Sequence, residues 1–231
     1  MFYLVKTPWW LKKWYPDLIW DIPRKKDEKV VYLTFDDGPH PQATPFVLDT
    51  LRTYRAKATF FCIGKNVQEH PHIYKRILEE GHRTGNHTQH HVNGWKTRDK
   101  AYLDDVRQAA GYIDSDLFRP PYGRITAFQA SLLRKPPFEY KVIMWDVLSA
   151  DFDRTLSPER CSRNVIRHAG PGSIVVWHDS EKAFPRLEVA LPVVLGYFQE
   201  KGYRFESLSS WKDGFSGGHK TPGRRPVRGG H

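Results

Sequence analysis

Asp36 and Asp37 stand side by side at the end of an apolar, β-branched run, Val30 to Phe35, and Gly38-Pro39 follows at once. Paired carboxylates at a strand end could hold a cation or move a proton. A strand that stops in two acids at a forced turn is how a parallel barrel presents chemistry at its mouth. Asp before Gly is also an ordinary turn signal, so the pair by itself supports a turn as well as a site. A second group is Gly85-Asn86-His87-Thr88-Gln89-His90-His91. Histidines four apart share one face of a helical turn, so His87 and His91 can reach one ion, and His87 with His90 is sterically open too. One carboxylate arriving from another strand end would complete a set of two imidazoles and an acid with positions left for water. That is the arrangement of a catalytic metal rather than a closed structural one.

Three further segments carry reactive side chains at the ends of apolar runs. In Phe118-Arg119-Pro120-Pro121-Tyr122-Gly123, two prolines fix an extended turn and Gly123 permits close backbone approach. An Arg beside a carboxylate pair holds one member ionised, and an amide N–H of such a loop can stabilise an oxyanion. The others are Trp145-Asp146-Val147-Leu148-Ser149-Ala150-Asp151-Phe152 and Val176-Trp177-His178-Asp179. A lone His at a strand end is usually a satisfied structural residue. Paired with a buried Asp, it becomes a candidate general acid with a raised pKa.

The elements that must position these groups alternate along the chain. Strand patterns are predicted at 30–36, 58–63, 83–87, 116–119, 140–146, 173–178 and 203–207, with helical patterns at 42–54, 71–81, 98–113, 124–134, 157–168 and 184–201. Ser157-Pro158-Glu159 reads as an N-cap followed by Pro at the first helical position. Seven strands alternating with six helices predict a parallel α/β architecture, and the near-continuous apolar strands suit burial on both faces. No Gly-rich dinucleotide or phosphate loop follows the first strand, which favours a distorted, incomplete (β/α) barrel of about seven parallel strands over an open doubly wound sheet.

Composition narrows the function classes. The chain has 231 residues, 39% of them hydrophobic, with 17 Gly and 17 Pro, which suits a loop-rich enzyme of one large domain. Net charge is +10, and four of the cations sit in an acid-free tail, 217–231. A basic chain can meet nucleic acid, anionic membrane or anionic wall polymer. No aromatic-basic RNA motif, helix-turn-helix signal or zinc knuckle is present, so nucleic acid is not an expected partner. Cys62 and Cys161 make no disulfide framework and fit a reducing compartment. The N-terminus fails as a signal peptide because Lys6, Pro8 and Lys12-Lys13 interrupt its apolar runs, and no stretch reaches the roughly 18 apolar residues of a membrane span. A cytoplasmic monomer is expected. The expected organisation is an aromatic arm, 1–29, a catalytic domain, 30–213, and a flexible Gly/Pro/Arg/His-rich tail, 214–231. Trp9, Trp10, Trp14, Tyr15 and Trp20 are expected to pack on the barrel, with a peripheral contact to a membrane interface as the alternative.

Taken together, the five segments resemble, in order and spacing, the five motifs of the polysaccharide deacetylase family with the NodB homology domain, carbohydrate esterase family 4. The resemblance runs from about Val30 to Leu208. Thr34-Phe35-Asp36-Asp37-Gly38-Pro39 matches the first motif, His87-Thr88-Gln89-His90-His91 the second, and Arg119-Pro120-Pro121-Tyr122-Gly123 the third. It implies a metal-dependent hydrolase that removes N-acetyl groups from N-acetylglucosamine-containing glycans of the chitooligosaccharide or peptidoglycan type. An O-acetyl esterase on xylan-type chains, or a carbohydrate-binding member without hydrolysis, is the alternative. It also implies residue roles. Asp37, His87 and His91 would bind a divalent ion, Zn2+ first and Co2+, Ni2+ or Mn2+ otherwise. Asp36 would be the general base, with Arg119 orienting it and keeping it ionised. Tyr122 would give its backbone N–H to the oxyanion, and His178 would protonate the leaving amine with Asp151 tuning it. Pro121, Tyr122, Phe152, Val176 and Trp177 would contact substrate. Two positions depart from the family pattern: Phe152 stands where Trp is usual and Val176 where Leu is usual, so an altered acetyl pocket is expected.

Overall fold

The structure is a computed structural model and describes residues 3–23 and 28–208. The expected tail, 214–231, lies outside the described residues. Seven parallel strands form a half-barrel in the order β5-β4-β3-β2-β1-β7-β6, and β8 pairs with the start of β1. The strands are β1 (Val30–Asp36), β2 (Ala58–Cys62), β3 (Arg83–Asn86), β4 (Leu117–Phe118), β5 (Lys141–Val142), β6 (Val147–Leu148), β7 (Ile174–His178) and β8 (Arg204–Phe205). Around them run α1 (Trp9–Trp14), α2 (Ala43–Thr53), α3 (Gly64–Glu69), α4 (Pro71–Glu79), α5 (Asp99–Ala110), α6 (Ala127–Leu133), α7 (Pro158–His168) and α8 (Phe184–Glu200).

The period-2 alternation of β1 decides what the barrel holds. Val31, Leu33 and Phe35 point outward into the main core, where Val47, Leu48 and Leu51 of α2 and Leu187, Leu191 and Val194 of α8 meet them. Val30 and Tyr32 point inward with Phe61, Ile143 and Ile174. Thr34 and Asp36 share that inward face. In β7 the same rule sends Val175 and Trp177 outward and leaves Val176 and His178 facing in. The register pairs Asp36 with both Phe61 and His178, so the carboxylate and the imidazole arrive at one rim. Helix starts follow ordinary chemistry: Ser157 caps α7 ahead of Pro158, and Thr126 with Gln129 forms a capping box at α6.

The expected strand 140–146 is shortened to β5, and the unexpected β6 follows it; the two lie at opposite edges of the sheet. The open seam between those edges is bridged by the N-terminal arm. Lys6 pairs antiparallel with Val147, Ile19 parallel with Ile143, and Asp21 antiparallel with Ser173. The arm thereby supplies partners to two strand edges that would otherwise be bare. Buried Leu18, Trp20 and Ile22 fasten it, each burial contributing about 1.5–3 kcal/mol. The rest of the expected aromatic packing is corrected. Trp9 is 68% and Trp14 72% exposed, and Trp10 and Tyr15 are exposed as well. Trp10 and Trp14 touch edge to face, and the Lys13 ammonium lies 5.0 Å from the Trp9 ring centre. Helix α1 has no buried residue at all. Six-residue α1 and α3 were not legible as helices, being too short to show a period. No helix among the described residues is long and apolar enough to cross a membrane.

Candidate active site

The mouth of the half-barrel gathers what the motifs separate in sequence. Asp37 leaves β1 with φ 81°, in the left-handed region, and this breaks the strand alternation that would send Asp36 and Asp37 to opposite faces. The turn is pinned from three sides. Asn66 Nδ2 donates to the Asp37 carbonyl (2.7 Å), Ile63 N–H to the Gly38 carbonyl (2.9 Å), and Gly38 N–H to Asp179 Oδ1 (3.1 Å). A Cβ at Gly38 would sit 2.0 Å from Asp179 Oδ2, so only glycine fits there. Thr88, His91, Tyr122 and Ala150 also have φ between 56° and 66°. Such conformations cost free energy and cluster where function requires an exact loop path.

Ligand atoms of Asp37, His87 and His91 all lie within 4.8 Å of one another. Asp37 Oδ1 is 3.1 Å from His91 Nε2 and 3.7 Å from His87 Nε2. It is buried and receives no hydrogen bond, so a cation placed there would satisfy an oxygen that the described residues leave without a donor. His87 Nδ1 donates to the Arg119 carbonyl (2.7 Å), which aims the lone pair of Nε2 at the same point. Burial holds the His87 pKa down to about 4, so the ring is neutral, as a ligand must be. Burial would raise the Asp37 carboxyl, but the His91 imidazole beside it and the nearby His178 charge hold it well below the carboxylate range. Two imidazoles and one carboxylate fit a divalent ion with open positions. His90, the other candidate, is turned away: its Nδ1 pairs with Asp105 Oδ2 at 2.6 Å on the exposed side.

Beside this trio, Arg119 and Asp36 form a fully buried ion pair, Nη1 to Oδ1 2.7 Å. Arg119 is locked by the Ile143 and Met144 carbonyls and Thr34 Oγ1, with its guanidinium 4.1 Å from the Phe61 ring centre. Gly85 leaves room for that ring, since a Cβ there would fall 2.5 Å from it. On the far side, His178 Nδ1 pairs with Asp151 Oδ1 (2.7 Å), while His178 N–H donates to Asp151 Oδ2 (2.8 Å). Burial would lower the His178 pKa, but the Asp151 charge and hydrogen bond raise it to about 9. The backbone N–H of Tyr122 donates to no acceptor among the described residues, and the Tyr122 hydroxyl meets His91 Nδ1 at 3.1 Å. Pro121 is buried beneath it.

Phe152 packs edge to face on His178, with ring centres 5.3 Å apart, and Val176 lies on the inward face of β7, two residues before His178. Trp177 is corrected. It is fully buried in the outer core and faces the helix layer, because strand alternation places it opposite His178, so it cannot touch a substrate. Two residues escaped the sequence reading. Asp179 holds the Asp37-Gly38 turn and accepts from Thr44 Oγ1 (2.5 Å), and burial pushes its carboxyl up to about 8. Its place beside His178 was the available signal. Tyr3 has no sequence signal: from the arm it donates to Asp153 Oδ2 (2.7 Å) and packs edge to face on Phe152 at 5.3 Å.

Known proteins share this architecture. A peptidoglycan-N-acetylglucosamine deacetylase of Bacillus cereus is 34% identical over 195 residues, 82% of this chain and 90% of its own length. The crystal structure of the Bc1960 peptidoglycan N-acetylglucosamine deacetylase, in complex with a hydroxamic-type benzamide, superposes with a TM-score of 0.79 at 31% identity, covering 89% of this chain and 96% of that one. Peptidoglycan deacetylase PdaC from Bacillus subtilis gives 0.73 at 29% identity, covering 82% and 93%. The family model described as polysaccharide deacetylase matches residues 23–140, a span that contains the paired acids, the histidine pair and the Arg119–Tyr122 loop. By motif, fold and likeness alike, the chain belongs to the polysaccharide deacetylase family.

Proposed function

We propose that this protein removes N-acetyl groups from N-acetylglucosamine units of a glycan of the peptidoglycan type by metal-assisted hydrolysis. The observation that carries this reading is the buried, hydrogen-bond-free Asp37 Oδ1 facing the Nε2 atoms of His87 and His91, with Asp36–Arg119 on one side and His178–Asp151 on the other. The peptidoglycan-acting relatives support the choice of glycan.

Asp37, His87 and His91 hold the divalent ion, and a donor set of two nitrogens and one oxygen suits Zn2+, with Co2+, Ni2+ or Mn2+ as substitutes. Once bound, such an ion supplies water acidified from pKa 15.7 toward ~7 and polarises the acetyl carbonyl. Asp36 takes the proton from the attacking water, using the carboxylate oxygen that Arg119 leaves free. Arg119 fixes the orientation of that carboxylate. The Tyr122 amide donates to the carbonyl oxygen as it gains charge, a contribution on the order of 3 kcal/mol for one preorganised donor. His178, protonated on Nε2 and held by Asp151 through Nδ1, delivers its proton to the departing amine nitrogen. The products are acetate and the free amino sugar. A base kept charged and an acid kept protonated in one cleft is the division that amide hydrolysis needs. Phe152 and Val176 wall the acetyl methyl.

Acetate release across a panel of N-acetylated and O-acetylated oligosaccharides tests the reading. Release from N-acetylglucosamine-containing chains is expected. Release from acetylxylan alone would reassign the chain to ester hydrolysis, and glycan binding without any release would remove the catalytic claim.

A further inference from the structure

The loop that carries His91 and the loop that carries Tyr122 are stitched together three residues beyond the first and two beyond the second. Gly94 N–H donates to the Arg124 carbonyl (3.1 Å), and Gln129 Nε2 donates to the Gly94 carbonyl (2.9 Å). A Cβ at Gly94 would fall 2.5 Å from the Arg124 carbonyl oxygen, so the two backbones meet as closely as glycine allows. Trp95 stands on this stitch, four residues beyond His91, and Arg124 stands two residues beyond Tyr122.

Trp95 is 60% exposed, yet it does not swing freely. Its indole N–H donates to the Ile125 carbonyl (3.0 Å), and its own backbone N–H to Asn93 Oδ1 (3.0 Å). The Arg124 guanidinium lies 4.1 Å from the ring centre, stacked on one face. Among the described residues no carboxylate pairs with Arg124, although its chain has many surface acids that do pair with other cations. The stitch is complete through Gly94, Gln129 and the indole N–H, so the Trp95 ring and the Arg124 donors are surplus to it. An exposed, rigid indole is a platform for a pyranose face. An unpaired guanidinium offers a planar fork of donors shaped for a carboxylate.

We propose that Trp95 and Arg124 form a subsite for a carboxylate-bearing sugar adjacent to the residue that is deacetylated. In this subsite the sugar ring stacks near Trp95 while a lactyl-type carboxylate pairs with Arg124. The proposal rests on the glycan-deacetylase reading and names its substrate further: an alternating chain in which N-acetylglucosamine neighbours an acidic sugar, rather than a uniform neutral one. Neither residue touches the metal trio or the proton-transfer groups, so both set preference rather than rate at the reacting bond.

The test compares wild type, R124A, R124K and W95A on two defined oligosaccharides of equal length: chitotetraose, and a peptide-free tetrasaccharide alternating N-acetylglucosamine with N-acetylmuramic acid. Acetate release gives kcat/KM, and calorimetry gives binding of both sugars to wild type and R124A. R124A is expected to lose about tenfold in kcat/KM and in affinity on the acidic chain, a change of ~1.4 kcal/mol, and to leave chitotetraose unchanged. R124K is expected to recover part of the loss, and added salt to erase the acidic preference. W95A is expected to weaken both chains. Equal losses on both sugars in R124A, or none on either, would overturn the subsite. Absence of acetate from both sugars in wild type would overturn the deacetylase reading, while the calorimetric preference for the acidic chain would still decide the subsite.

Discussion

Asp36 and Asp146 are both buried carboxylates tied to cations, one at each end of the half-barrel, and they differ in what is left over. Asp146, just before β6, accepts from Lys12 Nζ on Oδ1 (2.6 Å) and from Lys6 Nζ and Ser173 Oγ on Oδ2 (both 2.6 Å). Both its oxygens are used, and their partners are the arm that bridges the seam and the start of β7. Asp36, at the mouth, accepts from Arg119 on Oδ1 only, and among the described residues nothing donates to Oδ2. Saturated pairing is what a structural anchor requires. A buried carboxylate held by one side and left open on the other is fixed in place while remaining able to take a proton. The same distinction separates Arg119, whose guanidinium is held inside the barrel, from Arg124, whose guanidinium among the described residues meets only an indole face.

The largest effect is expected at Asp36. D36N should keep the metal trio intact and lower kcat by about 10²–10⁴-fold, the range for losing a general base. Metal stoichiometry and acetate release measured on the same sample check it, and near-normal turnover would make Asp36 a second anchor.

His178–Asp151 is a third buried pair and sharpens the contrast by titration. Its folded pKa, about 9, lies above the ordinary 6.5. The stability it contributes is therefore complete below pH 6.5 and is lost as pH rises through about 9. An imidazole NMR titration of the metal-free protein should show that alkaline midpoint, and D151N should bring it down. Acetate release should fall on the alkaline side once the proton donor is emptied.

D146N should act in the opposite sense from D36N, leaving kcat unchanged while destabilising the fold. A loss of about 1–3 kcal/mol is expected for a buried charged partner, toward the lower end because the Lys6 side chain is 43% exposed and screened. Denaturant midpoints read this directly. The smallest effect is expected for Y3F, which removes the hydrogen bond to Asp153 and loosens the wall behind Phe152 by about 0.5–1.5 kcal/mol. The ratio of kcat/KM for N-acetyl over N-propionyl substrates should fall slightly, since a looser wall tolerates a longer acyl group.

Much of this was legible because the groups that matter lie at strand ends. The β-branched run into Asp36-Asp37-Gly38-Pro39 announced both the central strand and its break. The spacing of His87 and His91 announced a shared ion but left His90 open until Asp105 was seen to hold it. Other features could not be read because they depend on partners remote in sequence. The shortening of 140–146 to β5, and the separate strand β6 after it, go with Ile19 and Lys6 entering the seam. Trp177 looked like part of the site by adjacency to His178, and strand alternation buried it. The arm's tryptophans were expected to pack on the barrel, yet of the four only Trp20 is enclosed, since α1 meets the core through half-buried Leu11 and leaves Trp9, Trp10 and Trp14 exposed. Tyr3 reaches the site across 150 residues of sequence, where local pattern carries no information.

Whether turnover depends on one ion held by Asp37, His87 and His91 is read by acetate release from an N-acetylglucosamine oligosaccharide, using metal-stripped protein titrated with Zn2+, for wild type and H91A in parallel. Negligible release from the stripped protein, recovery that saturates at one ion per chain, and no recovery in H91A are expected. Full release from stripped protein, or the same one-ion saturation in H91A, would contradict that dependence.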